Sequence, residues 1–201
     1  MNLKQELKQI DLEFDNLFYE RIEKFIQLLQ QWGKIHNFTS DKALSDDEII
    51  KNIIDSLYPL KFLDKFQSLL DVGTGAGYPG MILAIANTDA NIILVEPRTK
   101  RVAFLNYLKS ALKLNNLTVL ENKVEDISSD IKCDIITSRA VTNISLLLSL
   151  TQKITTPQTQ FLFYKGSMCE QEMKDININR YKLIKYGEFR NYLYIQSKGN
   201  L

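Results

Sequence analysis

The 201-residue chain contains only two cysteines, Cys133 and Cys169, and a single histidine, His36. The cysteines form no C-x-x-C pair and no histidine cluster accompanies them, so the sequence predicts neither a disulfide framework nor a bound metal. This cysteine usage indicates a reducing cytoplasm. The chain also lacks a signal-type apolar core at its N-terminus and any apolar run near the roughly 20 residues that span a bilayer. We therefore expect a soluble protein without membrane attachment.

A net charge is also nearly absent, because 25 Lys and Arg stand against 24 Asp and Glu. Any RNA-binding surface therefore has to be a local patch of basic residues, since the chain as a whole is not basic. What the sequence does contain is 45% hydrophobic residues over 201 positions. This is enough for the core of one domain of ordinary size with an extension.

A glycine-rich loop follows the first predicted strand. The stretch 68–80 reads S-L-L-D-V-G-T-G-A-G-Y-P-G, in which an apolar run carrying Asp71 leads into Gly73, Gly75 and Gly77. Glycines let the backbone turn tightly and approach a ligand, and the free N–H groups of the following helix face the same crevice. The sequence therefore predicts a loop that holds a nucleotide-like cofactor.

The spacing of the glycines distinguishes two cofactors. If the dinucleotide fingerprint G-x-G-x-x-G starts at Gly73, where the strand ends, its third glycine position is occupied by Tyr78, and the match fails. A match that starts two residues later keeps a nicotinamide-dependent oxidoreductase open, but it leaves Asp71 and Gly73 inside the strand without a role. The pattern D-x-G-x-G-x-G instead resembles the first motif of S-adenosylmethionine-dependent methyltransferases. Asp71 then fits the acid near the cationic end of that cofactor.

A second acid ends the next predicted strand. The stretch 91–98 reads N-I-I-L-V-E-P-R, and Glu96 lies 23 residues after Gly73. About 20 residues separate the glycine loop from the carboxylate that accepts hydrogen bonds from a ribose diol in a βαβ unit. We therefore assign Glu96 to the adenosine ribose.

The rest of the chain after residue 67 alternates between strands and helices. Such alternation predicts an α/β, Rossmann-like parallel sheet wrapped by helices, with these strands: 69–72, 91–95, 117–121, 133–137 and 160–164. Two further runs, 183–186 and 192–196, are joined by a turn containing Asn191 and predict an antiparallel hairpin at the sheet edge. We expect a seven-stranded, mostly parallel sheet with an antiparallel C-terminal hairpin, as in class I methyltransferases.

Residues 1–66 have a helical pattern instead. Apolar residues recur at helical spacing over 14–32, and Gly33 is placed to end that helix. We expect an N-terminal helical extension over 1–66 and an S-adenosylmethionine-binding domain over 67–201.

The candidate site follows from this topology. Ligands of open α/β sheets bind beyond the carboxyl ends of the strands, where the strand order switches. Besides the glycine loop and Glu96, the ends of the third and fourth strands should contribute Val124 with Glu125, and Arg139. Glu125 is a candidate acceptor for the adenine amino group, and the backbone of Val124 or Glu125 is a candidate for contacts with the ring nitrogens. Alternatively, Glu125 is an exposed loop residue that contacts only solvent.

Several basic residues stand at or just after strand ends and are candidates for an RNA-binding rim. They are Arg98, Lys100, Arg101, Arg139 and Lys165. Charged residues are also commonly solvated without a ligand, so the sequence leaves that alternative open.

Six motifs are distributed along most of the chain: N-F-T-S at 37–40, I-I-D-S at 53–56, D-V-G-T-G-A-G-Y-P-G at 71–80, K-R-V-A-F-L at 100–105, S-R-A at 138–140 and K-G at 165–166. Their combination resembles the glucose-inhibited division protein B family, the guanine-N7 methyltransferases of bacterial 16S ribosomal RNA. The chain departs from the usual family pattern at Asn52, where a His is usual, at Glu96, where another acid is usual, and at Val141, where an aromatic is usual.

The resemblance implies a function and a set of site residues. The cofactor is S-adenosylmethionine, the product is N7-methylguanine, and the partner is 16S ribosomal RNA or the small ribosomal subunit. We expect a cytoplasmic monomer in which Arg139 also positions the reacting groups. The cofactor-binding residues implied by the resemblance are Gly73, Tyr78, Val124, Glu125 and Arg139.

Three alternative functions remain open on the sequence. The same fold serves methyltransferases of proteins or small molecules. The shifted glycine match leaves an NAD-dependent oxidoreductase, and a vestigial pocket would leave a non-catalytic RNA-binding module.

Overall fold

The structure is a computed structural model, and it describes residues 2–36, 41–174, 176, 180–188 and 190–196. The N-F-T-S motif at 37–40 lies outside the described residues. Within these ranges, no helix combines the length and the apolar character that crossing a membrane requires.

A single seven-stranded sheet forms the centre of the molecule, in the order β3-β2-β1-β4-β5-β7-β6. Strands β1 to β5 are parallel, whereas β7 runs antiparallel to both β5 and β6. The predicted sheet with its antiparallel finish is therefore confirmed. The strands are β1 (Ser68–Val72), β2 (Asn91–Val95), β3 (Leu117–Leu120), β4 (Ile135–Arg139), β5 (Gln160–Lys165), β6 (Tyr181–Tyr186) and β7 (Arg190–Ile195).

Seven α-helices lie within the described ranges: α1 (Leu3–Gln9), α2 (Asn16–His36), α3 (Asp46–Leu57), α4 (Gly80–Ala86), α5 (Thr99–Ala111), α6 (Ile144–Thr151) and α7 (Cys169–Met173). Short 3-10 turns connect several of these elements, at Asp41–Leu44, Tyr58–Lys61, Val124–Asp126 and Gln152–Ile154.

The central strand β1 is buried on both faces, which explains its nearly continuous apolar sequence. Successive residues of a strand point to opposite faces. Leu69 accordingly belongs to the core under α2 to α5, and Leu70 belongs to the core under α6 and α7. Leu70 pairs with Ile93 of β2 on one side and with Ile136 of β4 on the other. The strand order thus switches beside β1, which places the carboxyl ends of β1, β2 and β4 together.

The N-terminal helices share one hydrophobic core with the sheet. Phe25 and Leu29 of α2 and Ile53 of α3 belong to the same buried cluster as Met81 of α4. The boundary at 66/67 stays a prediction. Because the core is shared, the N-terminal helices are held firmly against the helix that comes after the glycine loop.

Two local predictions were wrong because tertiary contacts, which the local sequence does not show, determine the conformation at these positions. Helix α2 continues through Gly33 to His36, and a Cβ at Gly33 would lie 2.6 Å from Leu44 Cδ2, so this glycine permits a close approach instead of a helix end. Asn191 lies inside β7, where its side-chain amide donates to the Gly166 carbonyl at 2.8 Å. Gly187, with φ +60°, provides the turn instead.

Gly80→Ala tests the close packing of α4 on the sheet. A Cβ there would lie 2.3 Å from Leu94 Cδ2 and 2.8 Å from the Cβ of Asp71. Because overpacking of this kind costs about 1–3 kcal/mol, urea denaturation should show a loss of that size. Gly166→Ala is the matched control, since its Cβ would meet no atom within 4 Å. An equal loss in both variants would contradict the packing argument.

Candidate active site

The glycine loop after β1 turns through three residues with positive φ: Gly73 at +67°, Gly75 at +63° and Gly77 at +105°. These values are unfavourable for residues with a side chain. A Cβ at Gly73 would also lie 2.6 Å from Cγ2 of Val141, which follows β4. The loop therefore turns sharply where the ends of β1 and β4 meet.

Glu96 lies beside this loop and is buried, with 2% exposure. Its Oε2 accepts the Gly75 N–H at 3.0 Å, and its Oε1 accepts the Arg98 N–H at 3.1 Å. The Arg101 guanidinium lies 3.6 Å from Oε2. Each carboxylate oxygen has two lone pairs, so both retain capacity for a further donor. The structure thus brings the second strand-end acid to the loop.

Asp71 lies beneath the same loop and is fully buried. Its Oδ2 accepts the Gly80 N–H at 2.9 Å, and its Oδ1 has no partner among the described residues. Burial raises the pKa of Asp71 to about 7, and the neighbouring Thr74 side chain, the Gly80 amide and the Arg139 charge oppose this shift without cancelling it. Asp71, Gly77 and Glu96 are all outside the lining of the cavity at the loop. The contact of Asp71 with the cationic end of a cofactor and that of Glu96 with a ribose therefore stay predictions.

A cavity of about 250 Å³ opens at the loop. Gly73, Gly75 and Tyr78 line it from the loop, and Arg101 and Arg139 line it from α5 and β4. The N-terminal part of the chain completes the wall through side chains of α2, the following 3-10 turn and α3, namely Leu29, Ala43 and Asn52.

The residues predicted to contact adenine lie apart from this lining. Val124 is buried in the core on the α6 side of the sheet. Glu125 is exposed, and its backbone carbonyl accepts a hydrogen bond from the Lys153 ammonium group. Their contact with adenine stays a prediction.

Arg139 ends β4 at the cavity, and the structure gives it partners that the sequence did not predict. Its Nη1 donates to Asn52 Oδ1 at 2.8 Å and to Asp55 Oδ2 at 3.1 Å. Its guanidinium lies over the Tyr78 ring, 4.8 Å from the centroid. The Asn that stands where the family usually has His therefore forms a direct contact with a predicted cofactor residue.

Asp55 also binds Arg190, the first residue of β7. Arg190 Nε lies 2.7 Å from Asp55 Oδ1, and its Nη2 donates to Oδ2 at 2.8 Å. The Tyr192 hydroxyl donates to Oδ1 at 2.9 Å. The only sequence signal for this cluster was the I-I-D-S motif, since Arg190 lies 135 residues further along the chain.

The five predicted RNA-binding cations have different surroundings. Arg98 and Lys100 are exposed. Arg101 faces Glu96, and Arg139 faces Asp55. Lys165 is nearly buried, with its ammonium group 2.7 Å from Glu172 and donating to the Thr142 carbonyl. Of these five, only Arg98 and Lys100 have no ion-pair partner within the described part of the chain, and their contact with RNA stays a prediction.

Two solved structures that share this architecture are methyltransferases. A methyltransferase from Geobacter sulfurreducens aligns with a TM-score of 0.61 at 12% identity, covering 87% of this chain and 89% of that one. A SAM-dependent methyltransferase from Aquifex aeolicus aligns with a TM-score of 0.58 at 17% identity, covering 82% and 98%. The fold is therefore that of the class I S-adenosylmethionine-dependent methyltransferases.

The family follows from closer relatives. The model of the GidB family, the rRNA small subunit methyltransferase G family, matches residues 18–188. Ribosomal RNA small subunit methyltransferase G of Aliarcobacter butzleri is 53% identical over 194 residues, which are 96% of this chain and 98% of that protein. The protein of the same name from Wolinella succinogenes is 43% identical over 174 residues, 87% and 89% of the two chains. The chain belongs to this family, and the predicted resemblance is confirmed.

Asp71 predicts a pH dependence of stability. Its pKa is about 7 in the folded protein against an ordinary value of 3.8, so the unfolded chain loses this proton first as the pH rises. The free energy of unfolding should therefore fall between about pH 4 and pH 7, by an amount on the order of 4 kcal/mol for this group. Asp71→Asn removes the titration, and urea denaturation across this range should show a flatter curve for the variant.

Asp134→Asn is the control for that experiment, because Asp134 is an exposed acid at the opposite ends of the strands. It accepts the Gln67 and Ser68 amides at 2.7 and 3.0 Å. Parallel pH profiles for the wild type and Asp71→Asn would contradict the buried titration.

Proposed function

We propose that this chain transfers a methyl group from S-adenosylmethionine to N7 of a guanine in 16S ribosomal RNA. Membership of the rRNA small subunit methyltransferase G family supports the reaction and its substrate. The observation that carries the assignment of the site is the position of Glu96, which follows β2 directly beside a positive-φ glycine loop.

The residues at the loop fit this cofactor. Bound S-adenosylmethionine supplies a methyl group activated on a sulfonium. Glu96 retains lone pairs for the two hydroxyls of a ribose, and Gly73 and Gly75 line the cavity without side chains of their own. We assign the cofactor to Gly73, Gly75, Gly77, Tyr78, Glu96 and Arg139, with Val124 and Glu125 at the adenine end and Asp71 supporting the loop from below.

Arg139 is suited to the single anionic group of the cofactor, the carboxylate of its methionine part. Only its Nη1 has acceptors among the described residues, so Nε and Nη2 have donors left for a ligand. Charge-assisted hydrogen bonds from a guanidinium to a carboxylate are strong and directional. We infer that Arg139 holds this carboxylate and thereby orients the reactive end of the cofactor.

The proposed reaction requires positioning more than acid–base catalysis. Guanine N7 has a lone pair on the major-groove edge and bears no proton, so it needs no base before it attacks a methyl group. Holding the nucleophile in line with the methyl carbon and its leaving sulfur contributes an entropic advantage of about 7–11 kcal/mol. The chain's contribution is then a rigid loop, a fixed cation at Arg139 and a wall from the N-terminal helices.

The remaining assignments concern the partner and the setting. Exposed Arg98 and Lys100 lie at the start of α5, beside Arg101 at the cavity, and we assign them to RNA phosphates. We infer a cytoplasmic monomer with an N-terminal extension over 1–66 and a cofactor-binding domain over 67–201. A methyltransferase of another substrate is the alternative, and methylation assays on RNA distinguish the two.

Glu96→Gln tests the assignment of the cofactor. The amide keeps the size of the side chain but removes its charge and one acceptor, so the affinity for S-adenosylhomocysteine should fall about tenfold to a hundredfold. Titration calorimetry measures the change. Glu121→Gln is the matched control, because Glu121 follows β3, is exposed and binds only Thr99 among the described residues. Equal affinities for the wild type and Glu96→Gln would overturn the ribose assignment.

A modified RNA tests the nucleophile. 16S ribosomal RNA transcribed with 7-deazaguanosine keeps its pairing edge and lacks N7. This RNA should compete with unmodified RNA for the protein, yet receive no labelled methyl group. The unmodified transcript, and the assembled small subunit, are the positive controls. Incorporation into the 7-deaza RNA would show that another atom accepts the methyl group.

A further inference from the structure

We propose that Asp55 is a positioning residue for cofactor binding, which acts by holding Arg139 in the orientation that receives the carboxylate of the cofactor. The proposal rests on the proposed function of Arg139. It adds a role for a residue of α3 that lies outside the lining of the cavity.

The geometry fixes Asp55 from several sides. It is 8% exposed on the last turn of α3. Its two oxygens accept from Arg139, from Arg190 in a two-pronged pair, and from the Tyr192 hydroxyl. A carboxylate with this many donors has little freedom to rotate, and a two-pronged guanidinium pair adds geometric specificity. Asp55 is therefore a fixed anchor for the Nη1 atom of Arg139.

The way Arg139 is held leaves the ligand-binding part of its guanidinium available. Nη1 of Arg139 donates hydrogen bonds to Asn52 and Asp55, and the guanidinium lies over the Tyr78 ring. In the described part of the chain, Nε and Nη2 have no acceptor. A single fixed nitrogen and a fixed plane determine where the remaining donors point. The contacts thus orient Arg139 without using up its hydrogen-bonding capacity.

Arg190 shares the Asp55 carboxylate with Arg139. The carboxylate stands between the two guanidinium groups, and both have low exposure, 16% and 29% of their side chains. Because Arg190 binds Asp55 through both Nε and Nη2, it restrains the rotation of the carboxylate. The role of Arg190 is therefore to keep Asp55 in place as the anchor of Arg139.

Two ligands separate a positioning role from a merely structural one. S-adenosylhomocysteine has the amino-acid carboxylate, whereas 5′-methylthioadenosine has the same nucleoside without it. If Asp55 acts through Arg139, Asp55→Asn should weaken S-adenosylhomocysteine by about tenfold and leave 5′-methylthioadenosine within about twofold of the wild type. A general loosening of the fold would weaken both ligands alike. Titration calorimetry gives both dissociation constants, and thermal unfolding of each variant is measured alongside.

Three variants make the result decisive. Asp134→Asn, which removes a carboxylate at the opposite ends of the strands, should change neither ligand. Arg139→Gln should show the same selective loss as Asp55→Asn. If Asp55→Asn alone does not fold, Asp55→Asn combined with Arg190→Met removes the ion pair as a unit, and the same selective loss is expected of it.

The outcomes separate this inference from the function on which it rests. A selective loss in Arg139→Gln without one in the Asp55 variants would overturn the inference and leave the role of Arg139 intact. An equal or absent effect in Arg139→Gln would overturn the carboxylate assignment, and the inference with it. If the wild-type protein binds neither ligand, the assignment of S-adenosylmethionine as the cofactor is wrong.

Discussion

The hydrogen bond between the Gly80 amide and the buried Asp71 carboxylate is the constraint on which the rest of this molecule depends. It ties the first residue of α4 to the middle of the central strand at 2.9 Å. On the other side of the loop, the Gly75 amide is tied to Glu96 at 3.0 Å. The glycine loop is thus hydrogen-bonded to an acid on each side, and the bond at Gly80 sets where α4 begins on the sheet. Helices α2 and α3 then pack on α4, so the site and the N-terminal helices are arranged around the same contact.

The N-terminal helices are part of the site and do more than cover the sheet. Leu29, Ala43 and Asn52 line the cavity together with the glycine loop. Asp55, one helical turn beyond Asn52, connects the same helix to β4 and β7. A class I sheet alone would present an open edge at this place, and the extension turns that edge into a walled cavity. The predicted N-terminal extension and the predicted cofactor-binding domain therefore both contribute residues to the wall of the cavity.

Most of the fold could be predicted from the sequence because its signals are local. Strands such as β1 and β2 are short apolar runs, and their bounds follow from hydrophobicity alone. The errors came from contacts that the local pattern does not contain. Gly33 permits the approach of Leu44, and Asn191 binds the Gly166 carbonyl from inside a strand. Both residues have a high turn tendency, and in both the tertiary contact outweighed it.

Some contacts of the candidate site were likewise predictable from the sequence, and others were not. Glu96 and the loop were predictable because a motif places them a short distance apart in the chain. The pairing of Asp55 with Arg190 was not, since 135 residues separate the two and no periodicity connects them. The burial of Lys165 against Glu172 was also hidden, because a strand-end lysine has the same sequence whether it is free or paired.

The attachment of Asp55 to the final hairpin determines when the contacts around Asp55 can form during synthesis of the chain. Chains are synthesised from the N-terminus, and contacts between distant segments form only when both segments exist. A growing chain that has reached the end of β5 already contains the glycine loop, Glu96 and Arg139, but it lacks Arg190 and Tyr192. Asp55 therefore obtains its second cation and its tyrosine partner only when β7 joins the sheet, so the anchor of Arg139 is completed by the last strand of the chain.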